Sequence, residues 1–392
     1  MDISIIIPTY NESENLAVVL AQVFQVLRDE EIRGEVIVVD DDSPDRTWEL
    51  AQGLVRKYKG LRVVRRQGEK GLATAVIAGF AAAKAPKMLV MDADLSHPPQ
   101  LIPQLYQALD KADISVASRN VKGGGVKDWP LSRKAISWGA TVLSRLLTDV
   151  KDPMSGFFAL RCEVLDGVKL NPTGYKILLE ILVRGRYERV KEVPFVFEDR
   201  KNGSSKMSSG IITKYVSHVW SLLKDARNTR AQLARFLMIG GLGILVNLAV
   251  LSVLVELGSV HYLSAATVSF VAAVTFNFAG NKLFAFRDDR MGAGTVASQY
   301  AKFFAVSVGS LFMNLAVLFL MVDMGHLWYI VGQIFAILAA TSGNFAGNKL
   351  WTFREGAGTR TERKATAADI KATALRAIVL GHVHGFEGRR GR

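Results

Sequence analysis

Through the first half of the chain, apolar residues come in short unbroken runs that each stop at a polar cluster. Ile5-Ile6-Ile7 runs into Pro8-Thr9-Tyr10-Asn11-Glu12, Val36-Ile37-Val38-Val39 into Asp40-Asp41-Asp42-Ser43, and Met88-Leu89-Val90-Met91 into Asp92-Ala93-Asp94. Such runs predict strands buried on both faces, as in a parallel sheet. Amphipathic segments at 14–27 and 47–57 and a small-residue segment at 71–83 predict helices between them, with Asn11 or Ser13 capping the first. Further strands are expected at 61–64, at 112–118, through Leu160 and over 190–197, with helices from Ser132 and over 176–183. Lys122-Gly-Gly-Gly125 reads as a flexible basic loop. The alternation predicts an α/β fold with a mostly parallel sheet. Loops that follow parallel strands share one edge of the sheet, so Tyr10, Glu12, Asp41, Asp92 and Asp94 can converge there.

The second half reads differently. Four apolar segments, near 232–257, 261–285, 302–324 and 327–352, each exceed the ~20 residues that cross a bilayer as a helix. An amphipathic stretch at 211–223 precedes them and is expected to lie in the membrane interface. The spans form an internal repeat. Phe236 matches Phe303, Asn247 matches Asn314, Gly258 matches Gly325, and Asn277-Phe-Ala-Gly-Asn-Lys282 recurs as Asn344-Phe-Ala-Gly-Asn-Lys349, at an offset of 67 residues (303 − 236). A two-span repeat returns to its starting side, so both copies share one orientation. The short connections near Gly258 and Gly325 lack Lys and Arg, whereas Arg230, Arg235, Arg287, Arg290, Arg354, Arg360, Arg363 and Lys364 mark the other side. The positive-inside rule puts the first half, the central connection and the tail in the cytoplasm. The four span asparagines are expected to hydrogen-bond between helices, and Lys282 and Lys349 to snorkel to the interface.

Composition narrows the class. The 392 residues carry a net charge of +13 with 49% hydrophobic residues, which suits a membrane protein with basic cytoplasmic faces better than a nucleic-acid binder. Cys162 is the only cysteine, which excludes intrachain disulfides and cysteine metal clusters. Asp2 and the short 3–8 run lack the regions of a signal peptide.

Asp92 and Asp94, spaced i and i+2 at a strand end, are oxygen ligands suited to Mg²⁺ or Mn²⁺, which can hold a diphosphate. The chain has neither GxGxxG nor GxxxxGK[ST], so dinucleotide and P-loop chemistry are disfavoured. Together the strings around Pro8, Asp41 and Asp92, with His97-Pro98-Pro99, Ser118-Arg119, Trp129-Pro130, Arg133-Lys134 and Asp152-Pro-Met-Ser-Gly-Phe-Phe158, resemble inverting GT-A glycosyltransferases, specifically polyprenol-phosphate (dolichol-phosphate) mannose synthases. The spans resemble the GtrA-like four-helix membrane domain. The division this implies is a GT-A domain at 1–209, an interface helix at 210–229, the membrane domain at 230–353 and a tail at 354–392, expected to be disordered.

The resemblance implies roles. Pro8, Tyr10, Glu12, Val39 and Asp41 would cradle the nucleoside, and Asp92, Ala93 and Asp94 would face the metal and diphosphate. Ser96 stands where the family often has a Gln metal ligand. Lys176, Arg200 and Lys206 would contact the donor's phosphates or the acceptor, and Arg119, Arg133 and Ser137 would grip the acceptor phosphate. Asp94, Arg119, Arg133 and Ser137 are thus the expected catalytic set. The expected reaction moves mannose from GDP-mannose to a polyprenyl or dolichyl monophosphate with inversion. UDP-glucose is the alternative donor, and a lipid-sugar flippase with a regulatory GT-A module is the alternative class.

Overall fold

A computed structural model describes residues 1–127, 129–171, 176–198, 209–226 and 228–354, with the side chains of 209–214 excepted. Arg200, Lys206 and the tail from 355 lie outside the described residues. The chain divides into two compact units, Met1–Asn228 and the residues from Thr229 onward.

The first unit contains β1 (Ile3–Thr9), α1 (Ser13–Asp29), β2 (Gly34–Asp40), α2 (Thr47–Leu54), β3 (Leu61–Arg65), α3 (Leu72–Ala82) and β4 (Lys87–Val90). It continues with α4 (Ile102–Ala108), β5 (Ile114–Ser118), β6 (Gly125–Val126), α5 (Leu131–Ser144), β7 (Phe158–Arg161), α6 (Ile177–Arg184), β8 (Val190–Pro194), β9 (Val196–Phe197) and α7 (Ser209–Asp225). Seven strands form one sheet in the order β3-β2-β1-β4-β7-β5-β8. Only β7 runs against its neighbours. The expected mostly parallel α/β sheet is therefore present. Every residue of β1 is buried, as a central strand covered on both faces requires. One apolar cluster lies on the α1 side, with Leu16, Leu20 and Phe24 against Ile5 and Val38. The other lies on the α3 and α6 side, with Val76 and Ile181 against Ile6 and Val90.

Four details differ from the sequence reading. Neither Asn11 nor Ser13 caps α1. Its first amides are met from the next loop, where Ser13 N donates to Asp45 Oδ2 at 3.0 Å and Glu12 N to Thr47 Oγ1 at 3.0 Å. The stretch 190–197 is two strands. β8 pairs with β5, then the chain turns at Phe195 so that β9 pairs with β6. Gly125 is therefore strand rather than loop. The helix α4 had no periodic signal, because Pro99 and Pro103 punctuate a short apolar segment. Finally, α7 belongs to the first unit. Val219, Leu222 and Leu223 are buried, and Tyr215 donates to the Ala140 carbonyl of α5 at 2.7 Å.

The second unit holds four helices long and apolar enough to cross a membrane: α8 with its final turn (Thr229–Leu257), α9 (Tyr262–Ala285), α10 (Ala293–Met324) and α11 (Tyr329–Thr352). The repeat is visible in the backbone. All four end in one wider π turn, and Ser259 and His326, 67 residues apart, both take positive φ (49° and 51°). Two side-chain expectations fail. Lys282 does not snorkel: it is 3% exposed, with Nζ on Gln299 Oε1 and the Arg290 carbonyl, both at 2.7 Å. Asn344 accepts from Asn348 in its own helix at 2.7 Å rather than from another helix.

Candidate active site

Because β1, β2, β3, β4, β5 and β8 are mutually parallel, their C-terminal ends share one edge, and the antiparallel β7 begins there. That edge collects Tyr10, Asp41, Arg66, Asp92, Arg119 and Phe195, with Gly156 arriving just before β7. Three turns leaving it hold non-glycine residues at positive φ: Asn11 (60°), Asp42 (54°) and Leu95 (63°). For a residue like Leu95 this is costly backbone, of the kind retained at functional sites.

The Leu95 turn shapes the carboxylate pair. Asp94 Oδ1 accepts from Ser96 N at 3.1 Å and from Ser96 Oγ at 2.5 Å. The Ser96 proton is thus committed to Asp94, and Ser96 aims that carboxylate. Beside it, the Asp92 amide donates to His97 Nδ1 at 2.9 Å. An Nδ1 that accepts belongs to a neutral ring, so the 3.8 Å approach of Asp92 Oδ2 is not an ion pair. Burial pushes the His97 pKa down, against the pull of Asp92 and Asp94. The ring stacks on Phe157 with centroids 5.0 Å apart. A Cβ on Gly156 would stand 3.2 Å from the His97 ring and 3.3 Å from Asp92 Oδ2, so only glycine lies easily against both.

Arg119 is held rigidly. Its Nε and Nη2 donate to the two oxygens of fully buried Asp152, each at 2.8 Å. Arg133, on α5, lies 4.2 Å over the Trp129 ring, and Arg119 lies 5.8 Å from the same ring. Trp129 thereby joins the two expected acceptor arginines, a role the sequence did not reveal. Ser137 stands one turn further along α5 from Arg133. Lys176 enters at the start of α6 and donates to the Met154 carbonyl at 3.1 Å. Burial first, then Arg119, hold its pKa below the ordinary lysine range, opposed by Asp92 and Asp152.

The end expected to take the nucleoside is more closed than the sequence suggests. Pro8 and Val39 are paired across β1 and β2, and both are buried, as is Ala93, so these three form the floor. Both Asp41 oxygens are engaged, by Arg66 Nε at 2.7 Å and Gly71 N at 2.7 Å. Asp41 therefore fixes the 66–71 loop. That loop brings Lys70 to Tyr10, with Nζ 3.3 Å from the hydroxyl. Arg66 and Lys70 were not anticipated, since nothing in their spacing marks them. Glu12 binds the Asn15 amide at 3.0 Å. Among the described residues no cluster of three acidic, His or Cys ligands occurs, and Asp92 and Asp94 remain the pair the sequence reading expects at a metal. Two carboxylates suit a hard cation that keeps waters and takes substrate phosphate oxygens.

Residues 4–168 match the glycosyl transferase family 2 model, and 235–355 match the GtrA/DPMS transmembrane domain. The dolichol-phosphate mannosyltransferase of Pyrococcus furiosus is 41% identical over 89% of this chain and 98% of its own length. This chain belongs to the polyprenol-phosphate (dolichol-phosphate) mannose synthase family. Two further relatives match a smaller share of the chain. The dolichol-phosphate mannosyltransferase of Saccharomyces cerevisiae is 36% identical over 57% of this chain and 87% of its own. The undecaprenyl-phosphate mannosyltransferase of Micrococcus luteus is 36% identical over 59% and 99%. As a family member this protein is a glycosyltransferase and an integral membrane protein.

Proposed function

We infer that the protein transfers mannose from GDP-mannose to a polyprenyl or dolichyl monophosphate, inverting the anomeric centre, with the catalytic unit in the cytoplasm. The observation that carries the reading is one sheet edge with Asp92 and Asp94 just past β4, Arg119 just past β5 and locked by Asp152, and Lys176 held on the Met154 carbonyl of the loop before β7. Carboxylates for a metal and cations for phosphate are what a diphosphate leaving group and an anionic acceptor need. Asp92 and Asp94 would hold Mg²⁺ or Mn²⁺, which when bound would neutralise the departing diphosphate. Lys176 would meet the same diphosphate. Arg133 and Ser137 would hold the acceptor phosphate, and Arg119, locked by Asp152, would orient it. An acceptor oxygen would attack the anomeric carbon as the bond to the diphosphate breaks. The acceptor is already anionic, so no strong base is required.

The acceptor is a lipid, and α5 fits that. Arg133 and Ser137 lie on its half-buried face, while Leu131 (84% exposed) and Trp138 (71% exposed) project from the other. On α7, Val216 and Trp220 are likewise exposed. Apolar and Trp residues on an amphipathic helix suit the headgroup boundary, where a polyprenyl phosphate presents its charge.

The test is transfer of radiolabelled mannose from GDP-mannose to polyprenyl phosphate in detergent with Mg²⁺ or Mn²⁺, against EDTA. Metal-dependent labelling that Asp92→Asn abolishes supports the reading. Activity with UDP-glucose alone would move the donor, and silence with every donor would overturn the enzyme reading in favour of a transport role.

A further inference from the structure

The second hairpin of the membrane unit carries a cleft of about 760 Å³, at the end where α10 begins and α11 finishes. Arg290, Lys302 and Arg354 line it, and among the described residues no carboxylate does. Arg290 is fastened to Asp288 through Nε at 2.9 Å. Lys302 instead lies beside Trp351, with Nζ 5.8 Å from the ring centroid. Thr352 lines the same cleft. It is 3% exposed, and its hydroxyl has no hydrogen-bond partner among the described residues. A buried hydroxyl without a partner calls for a ligand atom that a hydroxyl can bond.

The internal repeat supplies a control. At the same offset, Lys302 corresponds to Arg235 and Thr352 to Ala285. In the first copy Arg235 is 2% exposed and its guanidinium donates to the Ala285 carbonyl at 3.3 Å. The longer side chain thus reaches, in the first copy, the position where the second copy leaves a hydroxyl unanswered. The two copies are alike in backbone and differ here in whether a cation is folded inward.

We propose that this cleft is an anionic headgroup site on the membrane unit, which holds the phosphate of a membrane lipid against Lys302, Arg354 and Thr352. A phosphate accepts hydrogen bonds from all three donors at once. Lys302 stands where the apolar stretch of α10 starts, the level at which headgroups meet hydrocarbon. Leu350 (68% exposed) and Trp351 (52% exposed) flank the cations and would lie along the lipid's chain. Basic pockets between membrane helices take phosphate headgroups on these terms. The inference does not depend on the donor sugar or on the reaction.

The test is native mass spectrometry of the full chain in detergent supplied with phosphatidylglycerol, polyprenyl phosphate or phosphatidylcholine, with inorganic phosphate as a soluble competitor. The polyprenyl phosphate arm uses Arg133→Ala protein, so that the acceptor contact on the catalytic unit does not count. Retention of one phosphatidylglycerol or polyprenyl phosphate per chain is expected, which of the two identifying the source, and phosphatidylcholine is not retained. Lys302→Gln with Arg354→Gln should lower the retained fraction by about tenfold or more. Lys302→Arg with Thr352→Ala gives the second copy the residues of the first. It should fold and also lose the lipid, because the guanidinium fills the cleft. Equal retention by these variants, equal retention of phosphatidylcholine, or binding of inorganic phosphate with no lipid would each overturn the proposal. Mannose transfer measured on the same variants separates this result from the catalytic reading, since both pairs belong to the membrane unit.

Discussion

At Gly156 one hydrogen atom faces both His97 and Asp92, so Gly156→Ala displaces the carboxylate by a few tenths of an ångström while leaving the sheet alone. The expected result is a fall in kcat of about tenfold or more with an unchanged melting temperature; a variant as active as the parent would separate Gly156 from the site. Ser96→Ala removes the hydroxyl that aims Asp94. It should weaken divalent-metal activation by about tenfold to a hundredfold, read as a shift in the Mn²⁺ concentration needed, with maximal rate recovered at saturation. Glu35 gives a pH prediction. Burial raises its pKa, but hydrogen bonds from Ser4, Arg62 and the Lys84 amide outweigh this and hold it below the ordinary range. As pH falls below about 4.3 the unfolded chain takes up the proton first, so stability present above that pH is lost as pH drops through the lower folded value. Glu35→Gln should flatten melting temperature against pH in that window; an unchanged slope would remove Glu35 from the account. Asp92 and Asp94 were legible because a strand-end pair advertises itself in one line of sequence. Arg66 and Lys70 were not, nor were the roles of Asp152 and Trp129 within their strings, since each acts through a partner 25 or more residues away or through a ring face, and spacing carries no trace of either.

At the scale of elements, α5 tests the lipid reading. Leu131→Gln with Trp138→Gln replaces two side chains that touch little of the fold. Melting temperature and the KM for the nucleotide sugar should stay put while the KM for polyprenyl phosphate in vesicles rises severalfold. Equal changes in both KM values would mean that α5 serves the fold rather than the acceptor. The parallel core was readable because buried strands are continuous apolar runs. The break at Phe195 was not, because 190–197 keeps a strand composition throughout, and what divides it is the choice of partner, β5 and then β6. The cap of α1 escaped for a similar reason: Asp45 and Thr47 reach it from another loop. In the membrane half the apolar segments predicted the helix ends to within three residues, except that α10 starts at Ala293 rather than 302, where polar residues carry its first turns, and the repeat misled at Lys282. Identical strings predicted identical lysines, and Gln299 and Asp288 made one of them a buried tether.

The whole molecule is two compact units with separate cores, an α/β sheet through Asn228 and four apolar helices beyond it. Chemical denaturation in detergent should therefore show two transitions, one in near-UV dichroism of the catalytic unit and one in residual helicity. GDP-mannose with Mn²⁺ should raise the first and leave the second in place. A single transition that shifts as one would show the units to be thermodynamically fused. The sheet order has a further consequence for how the chain is made. Its outermost strands, β3 and β8, are both complete by Pro194, and among the described residues no sheet partner comes from beyond Thr229. A ribosome adding about 5–20 residues per second has thus synthesised every described strand before it begins the first span. The enzyme half can close its sheet during translation, before the bilayer is engaged, and a fault in membrane insertion would strand a folded catalyst rather than an unfolded one.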